Sequence, residues 1–65
     1  MEDAMQLLTE RERQVVQLLS IGLTYAAIAI KMDISHETVK MHLKNIYRKL
    51  EVQNKIEALN KVKLL

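Results

Sequence analysis

The stretch from residue 35 to residue 50, SHETVKMHLKNIYRKL, constrains the fold most, because wound as a helix it separates into two unlike faces. At about 100° per residue, Val39, Leu43, Ile46 and Leu50 fall within an arc of roughly 60°, the stripe of a helix packed on one side. Lys40, Lys44 and Arg48, with Glu37 and Met41, fall on the other side. A chain built round this segment has to cover the stripe and leave the basic face open. Such a face ordinarily does no more than meet solvent, so the rest of the chain decides whether it does anything else.

Helices are what the chain has available to cover the stripe. Its 65 residues contain no Pro, one Gly and no Phe or Trp, with many Leu, Ile, Val, Ala, Lys, Arg and Glu. That composition favours helix over sheet and points to an all-α fold of one small domain, too small for a large pocket. With no cysteine there are no disulfides and no thiolate metal ligands, and no apolar run approaches the roughly 18 residues of a membrane span. MEDAMQ is acidic and lacks the apolar core of a secretory leader, so a cytoplasmic protein with no membrane partner is expected.

The punctuation divides the chain into four helices. Thr9 followed by Glu12 spells a capping box and starts a first helix near Glu10, with Leu7 and Leu8 placed to staple its entry. Val15, Val16 and Leu19 form its buried side, and Gly22 suits the left-handed position that ends it. Thr24 caps a second helix of about two turns, burying Ile28, Ala29 and Met32. Residues 31–34 make a turn, Ser35 caps the third helix, and residues 51–53 link it to a fourth. Asn54 with Glu57 repeats the cap signature, and the fourth helix is expected to reach the C-terminus. A short helix, a tight turn and a longer helix with an outward basic face form a helix-turn-helix arrangement, whose second member lies in the major groove of DNA. Residues 1–6 read as a linker or a remnant of an added start, and residues 7–65 as the domain.

The net charge of +2 is unevenly spread. Residues 1–30 carry −2, residues 31–50 carry +3 and residues 51–65 carry +1. The positive excess surrounds the third helix, as an electrostatic footprint for nucleic acid would.

Three motifs then coincide: LTERE at the front, ISHETVKMH in the middle, and KLEV followed by IEAL at the end. In this combination and order, the chain resembles the DNA-binding domain of the LuxR/FixJ/GerE family of bacterial transcription regulators, from residue 7 to about residue 62. The resemblance implies a four-helix domain with the third helix in the major groove and the fourth forming a dimer contact. It implies Lys40, Met41 and Lys44 as groove-facing residues, Thr38 as a phosphate contact, and Thr24 and Tyr25 at the DNA backbone. The domain would be the output part of a longer regulator carrying a receiver, a ligand sensor or an ATP-binding activator, with HLKNIYRKL leaning toward the last. The implied partners are double-stranded DNA, a second copy of the chain and RNA polymerase. Two departures stand out. Ala26 and Ala27 occupy the place of a polar pair, often Lys-Glu or Gln-Glu, so the second helix lacks a backbone contact and a capping carboxylate. Lys55 replaces the usual Arg at the start of the fourth helix, keeping charge without bidentate geometry.

The residues themselves support several of these roles. Lys40 and Lys44, one turn apart, can donate to guanine O6 and N7 or to phosphates, whereas the ordinary alternative is a solubilising face. Met41 is the apolar member of the polar side, suited to a thymine methyl or to covering a neighbour. Arg48, about three turns from the helix start, is placed for a phosphate. Thr38 and His36 lie in the first turn, where a hydroxyl, an imidazole and free amides can meet a phosphate or merely serve the cap. His42 lies toward the stripe and reads as a packed, hydrogen-bonded histidine. Six residues separate His36 from His42, which is not metal-site spacing, so neither metal nor cofactor is expected. On the fourth helix Ala58, Leu59 and Val62 make the core stripe. Ile56, Asn60, Lys63 and Leu64 fall outside it and form a candidate symmetric contact, small enough to predict weak dimerisation of the isolated domain. An enzyme is disfavoured, because no phosphate loop or nucleophile-base set is present and Glu10 and Glu12 are explained by capping and exposed charge. The rival reading is a helical protein-protein module presenting Ile56, Leu59, Leu64 and Leu65.

Overall fold

The computed structural model describes residues 3–63. They form four α-helices and no strand: α1 (Glu10–Ser20), α2 (Tyr25–Met32), α3 (His36–Leu50) and α4 (Lys55–Lys61). Each begins at the side chain expected to cap it. Thr9, Thr24, Ser35 and Asn54 accept from the backbone N–H three residues on, at 3.1, 3.1, 3.0 and 2.9 Å. One of the otherwise orphaned amides of each helix start is thereby satisfied.

Three of the helix ends share one device. Gly22, Asp33 and Glu51 adopt left-handed backbone, with φ of 91°, 57° and 58°. In each case the next amide reaches back to a carbonyl five residues earlier, from Leu23 to Leu18, Ile34 to Ala29 and Val52 to Tyr47. This is the Schellman ending, which folds the apolar residue after the left-handed one against the helix it leaves. Leu23, Ile34 and Val52 accordingly pack on the core. Two differences from the sequence expectation follow from the same chemistry. The second helix continues through Met32, so the turn proper is Asp33 to Ser35. The fourth helix stops at Lys61, because Lys63 is left-handed (φ 62°) and its amide closes onto Asn60.

α3 is the central element, in contact with α1, α2, α4 and the N-terminal turn. The expected stripe is buried: Val39, Leu43, Ile46 and Leu50 join Leu8, Val15, Val16, Leu19, Ile28, Ala29, Ala58, Leu59 and Val62 in a single core. Burying a large aliphatic side chain contributes about 1.5–3 kcal/mol, so this cluster fixes where α3 sits. Residues Ala4–Leu7, in a stretch read as mostly linker, form one turn of 3-10 helix capped by Asp3. Ala4 and Met5 lie against the core, and Arg13 donates from Nε to the Met5 carbonyl at 3.0 Å. Of the two staple leucines, Leu8 is buried and Leu7 half exposed.

Glu12 departs most from its expected surroundings. It completes the capping box, its Oε1 accepting from the Thr9 amide at 2.9 Å, but it is buried rather than exposed. The same oxygen accepts from Lys49 Nζ at 2.7 Å, tying the start of α1 to the end of α3.

Candidate nucleic-acid interface

The side of α3 opposite the core is open. Lys40, Met41, Lys44 and Arg48 are all exposed, and Met41 leaves 60% of its surface to solvent although it is apolar. The face is partly organised from within. Glu37 Oε1 lies 3.7 Å from Lys40 Nζ, and Arg48 Nη2 donates to Asn45 Oδ1 at 3.3 Å. Among the described residues no hydrogen bond or ion pair engages Lys44, so its ammonium keeps its full donor capacity.

The approach to the face is set by the α2–α3 turn. Left-handed Asp33 reverses the chain, and Ser35 caps α3. The Ser35 and Thr38 hydroxyls lie 2.8 Å apart and bond to one another, so Thr38 contributes to the cap network while half-buried. At the start of α2, Thr24 is exposed and its oxygen accepts from Ala27, leaving the hydroxyl proton free to donate elsewhere. The reciprocal carboxylate is missing, because Ala27 stands where a capping box would put Glu.

Tyr25 and His36 come together across the two helices, ring centroids 6.1 Å apart and tilted by 44°. Tyr25 is half-buried and His36 exposed, so the aromatic contact joins two residues expected at the DNA backbone. Tyr47 neighbours Tyr25. Burial, and then the neighbouring Tyr25 phenol, raise the Tyr47 pKa above its ordinary value, which keeps its hydroxyl neutral. Tyr25 and Tyr47 also line an open groove with Gln53, Asn54, Lys55 and Ile56, so the start of α4 borders the same side.

On α4 itself Ile56 is 53% exposed, and Asn60 and Lys63 are exposed; Leu64 and Leu65 lie outside the described residues. Leu59 is only 5% exposed and belongs to the core, which removes it from the surface proposed for a protein-protein module. His42 is half-buried as expected, but no hydrogen bond to its ring is found among the described residues. No group of His, Cys, Asp and Glu among the described residues could hold a metal ion, and no helix is long and apolar enough to cross a membrane.

Comparison with known proteins matches residues 6–62 to the sequence profile of the bacterial regulatory proteins, luxR family. The chain belongs to the luxR family. This luxR-family chain is 44% identical over 57 residues to the nitrate/nitrite response regulator protein NarP of Escherichia coli (strain K12), covering 88% of the chain and 26% of NarP. It is 46% identical over 56 residues to the probable transcriptional regulatory protein SgaR of Hyphomicrobium methylovorum, covering 86% and 26%. To the HTH-type transcriptional regulator MalT of Vibrio campbellii it is 40% identical over 52 residues, covering 80% and 6%. The luxR-family chain thus spans about a quarter of the length of the first two of these relatives. The all-helical fold is consistent with a luxR-type helix-turn-helix domain. Two features of it were not visible in the sequence. The Lys49–Glu12 tie joins residues 37 positions apart, and the Tyr25–His36 contact depends on the crossing of α2 and α3. A basic residue at the end of a stripe-bearing helix and an aromatic at a helix start were the only hints.

Proposed function

We infer that the chain binds double-stranded DNA sequence-specifically as the output domain of a bacterial transcription regulator working in the cytoplasm. In this reading α3 lies in the major groove. The supporting observation is the two-sidedness of α3, whose stripe is wholly buried while Lys40, Met41, Lys44 and Arg48 are exposed directly behind a capped tight turn. Lys40 and Lys44 donate to guanine O6 and N7 or to phosphates, and Met41 packs on a thymine methyl. Arg48 meets the backbone, as do Thr38, His36, Thr24 and Tyr25 around the helix starts. A second copy docks through α4 using Ile56, Asn60 and Lys63, with Leu64 assigned to the same contact by its sequence position. RNA polymerase is the partner through which the bound dimer acts on transcription.

The test is a titration of duplex DNA with the chain and with Lys44→Ala. Lys44 is exposed, so its removal leaves helicity unchanged while affinity for a selected duplex falls about tenfold, the scale of one good base contact. Unchanged affinity takes Lys44 out of the contact set. Absence of binding to any duplex at low salt removes the reading as a whole.

A further inference from the structure

Glu37 is the one acidic residue on the basic face of α3. On the helical wheel it lies within roughly 20° of both Lys44 and Arg48, at the centre of the face rather than at its edge. It stands in the first turn, the part of a groove-bound helix that comes nearest the base edges. Its side chain is 82% exposed, and its sole ionic contact among the described residues is the loose one to Lys40 at 3.7 Å. The cap does not use it: Ser35 and Thr38 complete that network between themselves. A carboxylate carried into the groove between two phosphate backbones costs affinity for every sequence alike, and only a base-edge amine returns that cost. Among base pairs, cytosine N4 offers an exposed donor to which a carboxylate is suited in the major groove.

We propose that Glu37 reads a cytosine N4 amine in each half-site, independently of the base pair or phosphate that Lys40 meets beside it. The proposal rests on the reading of α3 as the groove-bound helix. It makes Glu37 a specificity determinant: it lowers binding to sequences that lack the cytosine more than it raises binding to those that have it. The Lys40 contact neutralises part of the carboxylate charge without filling its acceptor capacity, since a carboxylate offers about four lone-pair sites.

The experiment selects bound duplexes from a random pool with the unaltered chain and with Glu37→Ala, Glu37→Gln and Lys40→Ala, helicity being checked for each. The unaltered chain is expected to fix a cytosine at one position of the half-site. Glu37→Ala loses that preference alone, about a tenfold loss of discrimination at one base pair, and gains affinity for unrelated sequences. Glu37→Gln moves the preference toward adenine, whose N6 and N7 match an amide. Lys40→Ala keeps the cytosine. Identical base preferences for the unaltered chain and Glu37→Ala overturn the proposal. So does loss of the cytosine in Lys40→Ala, which would mean that Glu37 acts only by positioning Lys40. If the unaltered chain enriches no duplex, the groove reading itself fails, and this inference with it.

Discussion

Glu12 shows how one side chain can serve two levels of structure. Its Oε1 accepts from the Thr9 amide and from Lys49 Nζ, so the cap of α1 is also the anchor of the far end of α3. Burial pushes the carboxyl pKa up, but the Lys49 hydrogen bond and charge and the Thr9 bonds outweigh it, and the net result is a pKa below the ordinary 4.5. A carboxyl whose folded pKa is depressed contributes stability in full above its unfolded value and loses it as pH falls through the folded one. The unfolding midpoint of the unaltered chain is therefore expected to drop between about pH 6 and about pH 3 by more than that of Glu12→Gln. Equal drops in chemical denaturation would remove Glu12 from the acid-sensitive groups. Lys49→Ala should cost about 2 kcal/mol at neutral pH, the scale of a hydrogen bond to a charged group. Only half of this site could be read in the sequence. The capping box is a local pattern four residues long and was legible; the lysine that shares its carboxylate arrives by tertiary packing, which no local pattern encodes.

At the level of elements, all four helix starts were legible because the cap residues are fixed by short-range hydrogen bonding. The ends were less so. Gly22 announced the left-handed turn after α1, but Asp33, Glu51 and Lys63 adopt the same backbone without the glycine that advertises it, which is why α4 was expected to run on past Lys61. Glu51 is the least favourable of these, a non-glycine residue in left-handed backbone placing negative charge at the negative end of the α3 dipole. Glu51→Gly should stabilise the fold by up to about 1 kcal/mol. A lowered midpoint in thermal unfolding would show that the Glu51 side chain makes up that cost. Near the turn, Thr24 caps α2 but receives nothing in return from Ala27. Ala27→Glu supplies the N3 carboxylate and is expected to add about 0.5–1 kcal/mol, raising the midpoint by several degrees for a domain this small. No gain would mean that the half-buried position cannot aim a carboxylate at the Thr24 amide. These alanines weaken the entry to α2 without touching α3, so Lys40, Met41 and Lys44 stay where the core puts them.

For the whole molecule, the near-neutral net charge is a poor guide, and what matters is that three cations share one face of α3 while the carboxylates lie largely elsewhere. If Lys40, Lys44 and Arg48 each neutralise one phosphate, the logarithm of the binding constant falls against the logarithm of salt with a slope of about −3 for one copy. Two copies joined through α4 give about −5, so the same measurement counts copies on the DNA. Ile56 is the exposed apolar residue available for that junction, and one buried pair of isoleucines supports only weak association in the absence of DNA. On a palindromic duplex, the unaltered chain is expected to show the steeper slope and Ile56→Glu the shallower one, because like charges then face each other across the symmetry axis. Fluorescence anisotropy between about 50 and 200 mM salt covers the range in which the two slopes separate. A slope near zero sinks phosphate recognition altogether. A steep slope that survives Ile56→Glu leaves DNA binding intact but takes the dimer contact away from α4.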